Sequence, residues 1–172
     1  DLATFYKAAK KLFDEDLIFQ AGARQEVVKL QSSDPESINA WKAICDASRN
    51  EFQSIYSMLR IRNLVERGES FYNHLLADVI ESLAEEGMIE ESDGAACVFL
   101  PGYCNHDGTR QPLILRKSDG GYLYATTDIA AVKQRIAIER ADMILYVTDA
   151  GQSHHFKTVF EVVYFFGCFS DA

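Results

Sequence analysis

The sequence predicts an α/β protein: a helical opening, a small antiparallel insertion, and then half of a doubly wound sheet. Three observations carry that expectation. Apolar residues recur at three-and-four spacing through the first third, the period falls toward two between residues 95 and 125, and a nearly all-apolar run, Met143-Ile144-Leu145-Tyr146-Val147-Thr148, stands between two helical patterns. A run covered on both faces is the mark of a central parallel strand. Strand, helix, strand, glycine turn, helix is then half of an open parallel sheet.

Taken in order, Leu2, Phe5, Ala8, Ala9 and Leu12 mark a first amphipathic helix, and Leu17, Ala21, Val28 and Leu30 a second. Ser33, Asp34 and Pro35 supply a cap and a proline suited to a first helical turn. The helix they open, through Ile38, Trp41, Ile44, Cys45, Ser48, Phe52, Ile55 and Leu59, is expected to be the longest, with Trp41 in the core and its Lys and Arg positions on a solvated face. The pattern changes near Ile61, and Glu66 to Asn73 read as an ordered turn into a helix carrying Leu75, Leu76, Val79, Ile80 and Leu83 that stops at Gly87. Ala95 to Leu100, Leu113 to Lys117 and Gly121 to Ala125 have strand character, with Ser92-Asp93-Gly94 and Ser118-Asp119-Gly120-Gly121 as hairpin-type turns. Thr126-Thr127-Asp128 is expected to cap a helix through Ile129, Val132, Ile136 and Ile138, and the last helix to bury Val159, Val162, Val163 and Phe166 before Gly167. Three segments follow: a helical one over 1–60, an insertion over 61–125, and the second half of a nucleotide-binding fold over 126–172.

Composition narrows the function. The chain has 172 residues, 17 Lys and Arg against 26 Asp and Glu, and a formal charge of −9, which argues against nucleic acid as the main partner of this segment. Its most apolar stretch, Val159 to Phe169, includes Glu161 and is too short to cross a bilayer. The first residues lack the pattern of a signal peptide. Cys45, Cys97, Cys104 and Cys168 lie far apart, as reduced thiols of an intracellular soluble protein would. Cys97, Cys104 and His106 form a C-x6-C-x-H string, but a structural zinc site needs four ligands at shorter spacing, so no metal is expected there.

In open parallel sheets ligands collect beyond the carboxyl ends of the strands, which singles out Tyr124 to Asp128 and Asp149 to His155. Two roles are open for Asp128: a carboxylate that caps the helix, or one that grips a cation, for which a guanidinium with its parallel donors fits best. Gly151 permits a tight turn, and a helix starting near Ser153 would aim free amides at a phosphate, although no full glycine-rich fingerprint is present. His154 and His155 are adjacent and point about 100° apart on a helix, so they are not a same-face metal pair.

Three runs carry a resemblance. Val65-Glu66-Arg67-Gly68-Glu69-Ser70-Phe71-Tyr72, Arg116 to Asp128, and Ala141-Asp142 followed by Tyr146 to Phe156 resemble, in that order, the catalytic domain of arginyl-tRNA synthetases, class I aminoacyl-tRNA synthetases. The resemblance extends over nearly the whole chain and implies a Rossmann-like sheet. It also implies arginine contacts at Tyr124, Asp128 and Gln152, and ATP contacts at Gly151 and His155. The implied reaction joins L-arginine to ATP with Mg2+ as arginyl-adenylate and transfers it to tRNA(Arg) in the cytoplasm. H-I-G-H-like and K-M-S-K-S-like signatures do not occur in these residues, so the segment by itself is expected not to form the adenylate. Two other readings are a non-catalytic paralogue or interaction module with the same fold, and another adenylate-forming nucleotidyltransferase. An uncovered sheet edge would favour self-association.

Overall fold

The computed structural model describes residues 2–165 and 167. They form two compact units that divide between Glu66 and Arg67. The expected burial of Phe166 and the state of Cys168 lie outside the described residues.

The first unit is helical: α1 (Leu2–Glu15), α2 (Leu17–Gln31) and α3 (Pro35–Met58). Each start has a local cause. Asp16 accepts hydrogen bonds from the amides of Ile18 and Phe19, and Asp34 from those of Glu36 and Ser37, with Pro35 in the first turn where it costs no hydrogen bond. α3 is the longest helix described, as its period requires. No residue of α2 or α3 is fully buried, however. Trp41, expected in the core, is half-buried, and Ile44, Phe52 and Ile55 remain about half exposed. Three helices side by side present apolar stripes but enclose little volume, so a stripe here marks a face without a cover. Arg49 donates from Nε and one terminal nitrogen to Glu66 at 2.8 and 2.9 Å, returning the end of this unit to α3.

The second unit holds the core. A 3-10 helix (Glu69–Leu75) runs into α4 (Leu76–Glu85), whose Leu76, Val79, Ile80 and Leu83 are all buried. Gly87 follows with φ of +70°, the left-handed backbone that ends a helix at least cost when the residue is glycine. β1 (Glu90–Ser92), β2 (Ala95–Val98) and β3 (Leu113–Arg116) form an antiparallel sheet in sequential order. β1 was not anticipated, because Glu90-Glu91-Ser92 has no apolar alternation and is specified by its partner: Glu90 faces Cys97 and Ser92 faces Ala95. Asp93 and Gly94 both take positive φ, 51° and 75°, as a two-residue hairpin of matching twist requires.

Beyond β3 the expected strand over Gly121 to Ala125 reduces to one bridge between Arg116 and Tyr122. α5 (Tyr124–Ala137) begins instead, earlier than the cap proposed at Thr126-Thr127-Asp128. The cause is an anchor: the buried Thr126 hydroxyl donates to the Leu115 carbonyl of β3 at 2.7 Å, which draws the chain out of extended geometry. α5 packs Ile129, Ala130, Ala131 and Val132 into the same core as Leu115 and Val98, and α6 (Ser153–Phe165) adds Val159, Val162 and Val163.

The parallel strand expected at Met143 to Thr148 finds no ladder partner among the described residues, and the segment belongs to no sheet there. It does alternate, with Ile144 and Tyr146 packed on the core while Met143, Leu145 and Val147 are 76, 80 and 97 % exposed. An apolar pattern states that both faces can be covered; a ladder needs a neighbouring strand, and the described residues offer none.

Candidate functional site

The site lies in the second unit, where the first turns of α5 and α6 meet the end of the small sheet. On α5, Tyr124 and Asp128 stand four residues apart and so share a face. Helix formation from Tyr124 puts Asp128 in the second turn, too deep to cap, which removes the capping role left open by its spacing. Asp128 instead meets α6: His155 Nε2 donates to Asp128 Oδ2 at 2.6 Å. The two side chains are 26 and 17 % exposed, so the pair is partly shielded while one edge stays open to solvent. The Tyr124 ring lies edge-on to His155 at 4.7 Å and is itself 59 % exposed, which leaves it free to contact a ligand.

Gly151 and Gln152 sit in a one-turn 3-10 helix (Ala150–Gln152) that leads into α6. The reason for glycine differs from the one expected. Gly151 does not need positive φ; its amide donates to Asp149 Oδ1 at 2.7 Å, and a Cβ there would lie 2.8 Å from that same oxygen. A side chain would therefore collide with the carboxylate that holds the turn. Gln152 is exposed, three residues before His155. Tyr124, Asp128 and His155 are thus brought into contact, while Gly151 and Gln152 lie in the turn before the helix that carries His155.

A cavity of about 180 Å3 opens beside this cluster, lined by Tyr124, His154 and His155 with Tyr103 and Gln111 of the loop between β2 and β3 and Leu113 of β3 among the other walls. His154, adjacent to His155 but turned away, lies 5.6 Å from the Tyr103 ring. Tyr103 donates to Glu161 at 2.9 Å, tying the loop after β2 to α6; burial, then the Glu161 carboxylate, pushes its phenol above the ordinary range. Of the tempting zinc string, Cys97 is buried in β2 whereas Cys104 and His106 are exposed in the following loop. Among the described residues no group of three His, Cys, Asp or Glu is placed to hold a metal ion.

Sequence reasoning missed Tyr103, Glu161, Arg135, Tyr146 and Tyr72. Arg135 donates to Tyr146 Oη at 2.7 Å and to Tyr72 Oη at 3.5 Å. Burial is the main cause that holds the Tyr146 phenol above its usual range, and the nearby Asp128 charge adds to it. One signal was available: Arg135 follows Asp128 by seven residues and so shares its helix face.

The family described as tRNA synthetases class I (R), catalytic domain, matches residues 1–172. The arginine–tRNA ligase of Crocosphaera subtropica is 60 % identical over 162 residues, covering 94 % of this chain and 28 % of its own length. That of Nostoc punctiforme is 53 % identical over 162 residues. The crystal structure of arginyl-tRNA synthetase from Plasmodium falciparum matches with a TM-score of 0.70 at 30 % identity, covering 90 % of this chain and 28 % of that one. The chain thus spans somewhat more than a quarter of the length of these relatives. With its motifs in order and matched from end to end, the chain belongs to the class I tRNA synthetases (R), as part of their catalytic domain.

Proposed function

We propose that this chain is the arginine-recognising part of an ATP-dependent arginine–tRNA ligase. In that reaction the arginine carboxylate attacks the α-phosphorus of ATP, pyrophosphate leaves, and the arginyl group passes from the adenylate to tRNA(Arg). The observation that carries the reading is Asp128: a partly shielded carboxylate beside the exposed ring of Tyr124. A guanidinium is the natural occupant of such a place, since its planar donors match a carboxylate and its face stacks on an aromatic ring.

Within this reading Tyr124, Asp128 and Gln152 contact arginine, and Gly151 with His155 lie on the ATP side. The His155 to Asp128 hydrogen bond then couples the two halves of the pocket. The N-terminus of α6, which follows the Asp149 turn, carries the positive end of a helix dipole and so suits an anion such as a nucleotide phosphate. Mg2+ accompanies ATP as part of the co-substrate. The Met143 to Thr148 segment, apolar at five of its six positions, would serve as the central strand of a Rossmann-like parallel sheet once neighbouring strands of the full-length protein pair with it, and residues 61–125 would be an insertion before its second half. The ligase works in the cytoplasm; among the described residues no helix is long and apolar enough to cross a membrane.

The test is arginine-dependent ATP–pyrophosphate exchange in the full-length protein that carries this chain. Exchange with arginine and none with lysine supports the reading. Asp128→Asn keeps the shape and removes the charge, so a charge-assisted interaction of about 1.5 to 3 kcal/mol is weakened and KM for arginine rises about ten- to a hundredfold. Exchange independent of arginine would point to another nucleotidyltransferase, and no exchange at all to a non-catalytic relative.

A further inference from the structure

We infer that Arg135 and Tyr146 are positioning residues for the Asp128 carboxylate, and through it set the affinity of the site for a guanidinium. The inference rests on the arginine reading above and names residues which that reading does not use.

α5 carries Tyr124, Asp128 and Arg135 at intervals of four and seven. At about 100° per residue, all three fall within about 40° of one another on the helix. The ligand-facing ring, the carboxylate and the guanidinium therefore form one row. Arg135 is half-buried, and its guanidinium lies over two rings, 5.4 Å from the centre of Tyr146 and 5.9 Å from that of Tyr72. Its hydrogen bond to Tyr146 Oη, at 2.7 Å, fixes that ring in rotation as well as position.

From Tyr146 the contacts run on without a gap. Its ring packs on Phe156 at 4.8 Å and on Phe160 at 5.1 Å, and Phe156 packs on His155 at 5.0 Å. His155 donates to Asp128. A shift at Arg135 thus reaches Asp128 by two routes, through the α5 backbone and through the wall of rings from α6. The second route matters more for orientation. The backbone sets where the carboxylate starts, whereas the His155 ring decides which oxygen is engaged and which remains for a ligand. Because the Tyr146 oxygen accepts from Arg135, its own proton is turned from the guanidinium, and the charge of Asp128 is one to which that phenol responds.

The experiment uses the full-length protein with Tyr146→Phe, Arg135→Met and the double variant. Tyr146→Phe keeps the packed ring and removes only the hydroxyl, so it stays informative if Arg135→Met fails to fold. In exchange kinetics, both variants are expected to raise KM for arginine about three- to tenfold, the range of one hydrogen bond, with a smaller rise in KM for ATP because His155 lies on the path, and kcat within about twofold. The double variant is expected to be no worse than Arg135→Met alone, because both act on one path. Equal rises in KM for arginine and ATP, or no rise in either, would overturn the inference. A second readout needs no arginine activity: the ring signals of His155 in a histidine-labelled sample, expected to move in Tyr146→Phe. If the wild-type protein shows no arginine-dependent exchange, the arginine reading falls, and unmoved His155 signals would still overturn the positioning role.

Discussion

Thr126→Val isolates the contact that starts α5 and so places both Tyr124 and Asp128. Thr126 is fully buried, and its Oγ1 donates to the Leu115 carbonyl at 2.7 Å. Valine has nearly the same shape, so packing is kept and only the hydrogen bond is lost. The Leu115 carbonyl also accepts from the Leu123 amide at 3.0 Å, so it keeps a partner after the substitution. The cost is therefore that of a net hydrogen bond, about 1 kcal/mol, and not the larger penalty of about 1 to 3 kcal/mol for an orphaned buried acceptor. Amide exchange of the peptide over residues 123–132, read by mass spectrometry in the full-length protein, would then quicken about fivefold if exchange occurs through reversible opening of this unit. Unchanged exchange would show that the hydroxyl does not hold the helix start. A hundredfold increase would show that the Leu115 carbonyl is left unpaired, and either result would refute the reasoning.

The turn before α6 and the thiols give two further expectations. Gly151→Ala places a Cβ against Asp149 Oδ1, 2.8 Å from that oxygen, so the cap must break or swing away; amide exchange over the first turn of α6 should rise by the equivalent of about 1 kcal/mol, and an unchanged rate would show that Asp149 yields without loss. Cys104 is exposed while Cys97 is buried, with desolvation raising its thiol above the ordinary range. Under native conditions iodoacetamide should alkylate Cys104 at the rate of a free thiol and Cys97 at least about a hundredfold more slowly, with mass mapping of peptides as the measure. Equal labelling would mean that β2 is open.

What the residues declare on their own is local. Asp34 followed by Pro35 opens α3, Gly87 closes the turn after α4, and Asp93-Gly94 bends the hairpin, because each acts on backbone geometry within one turn. The order of the motifs from Val65 to Phe156 likewise carries the family, whereas Tyr124 and Asp128 share a helix face only because α5 starts at Tyr124. Tertiary structure decided the rest. β1 exists because β2 pairs with it, and α5 starts at Tyr124 because Thr126 finds the carbonyl of Leu115. Asp128 met His155 across 27 residues, and Tyr103 met Glu161 across 58. Hydropathy states that a face is apolar or a group polar, but not which other face or group will meet it; that choice belongs to packing. The same limit explains Trp41 and the Met143 to Thr148 segment, whose patterns ask for cover that their own unit does not supply.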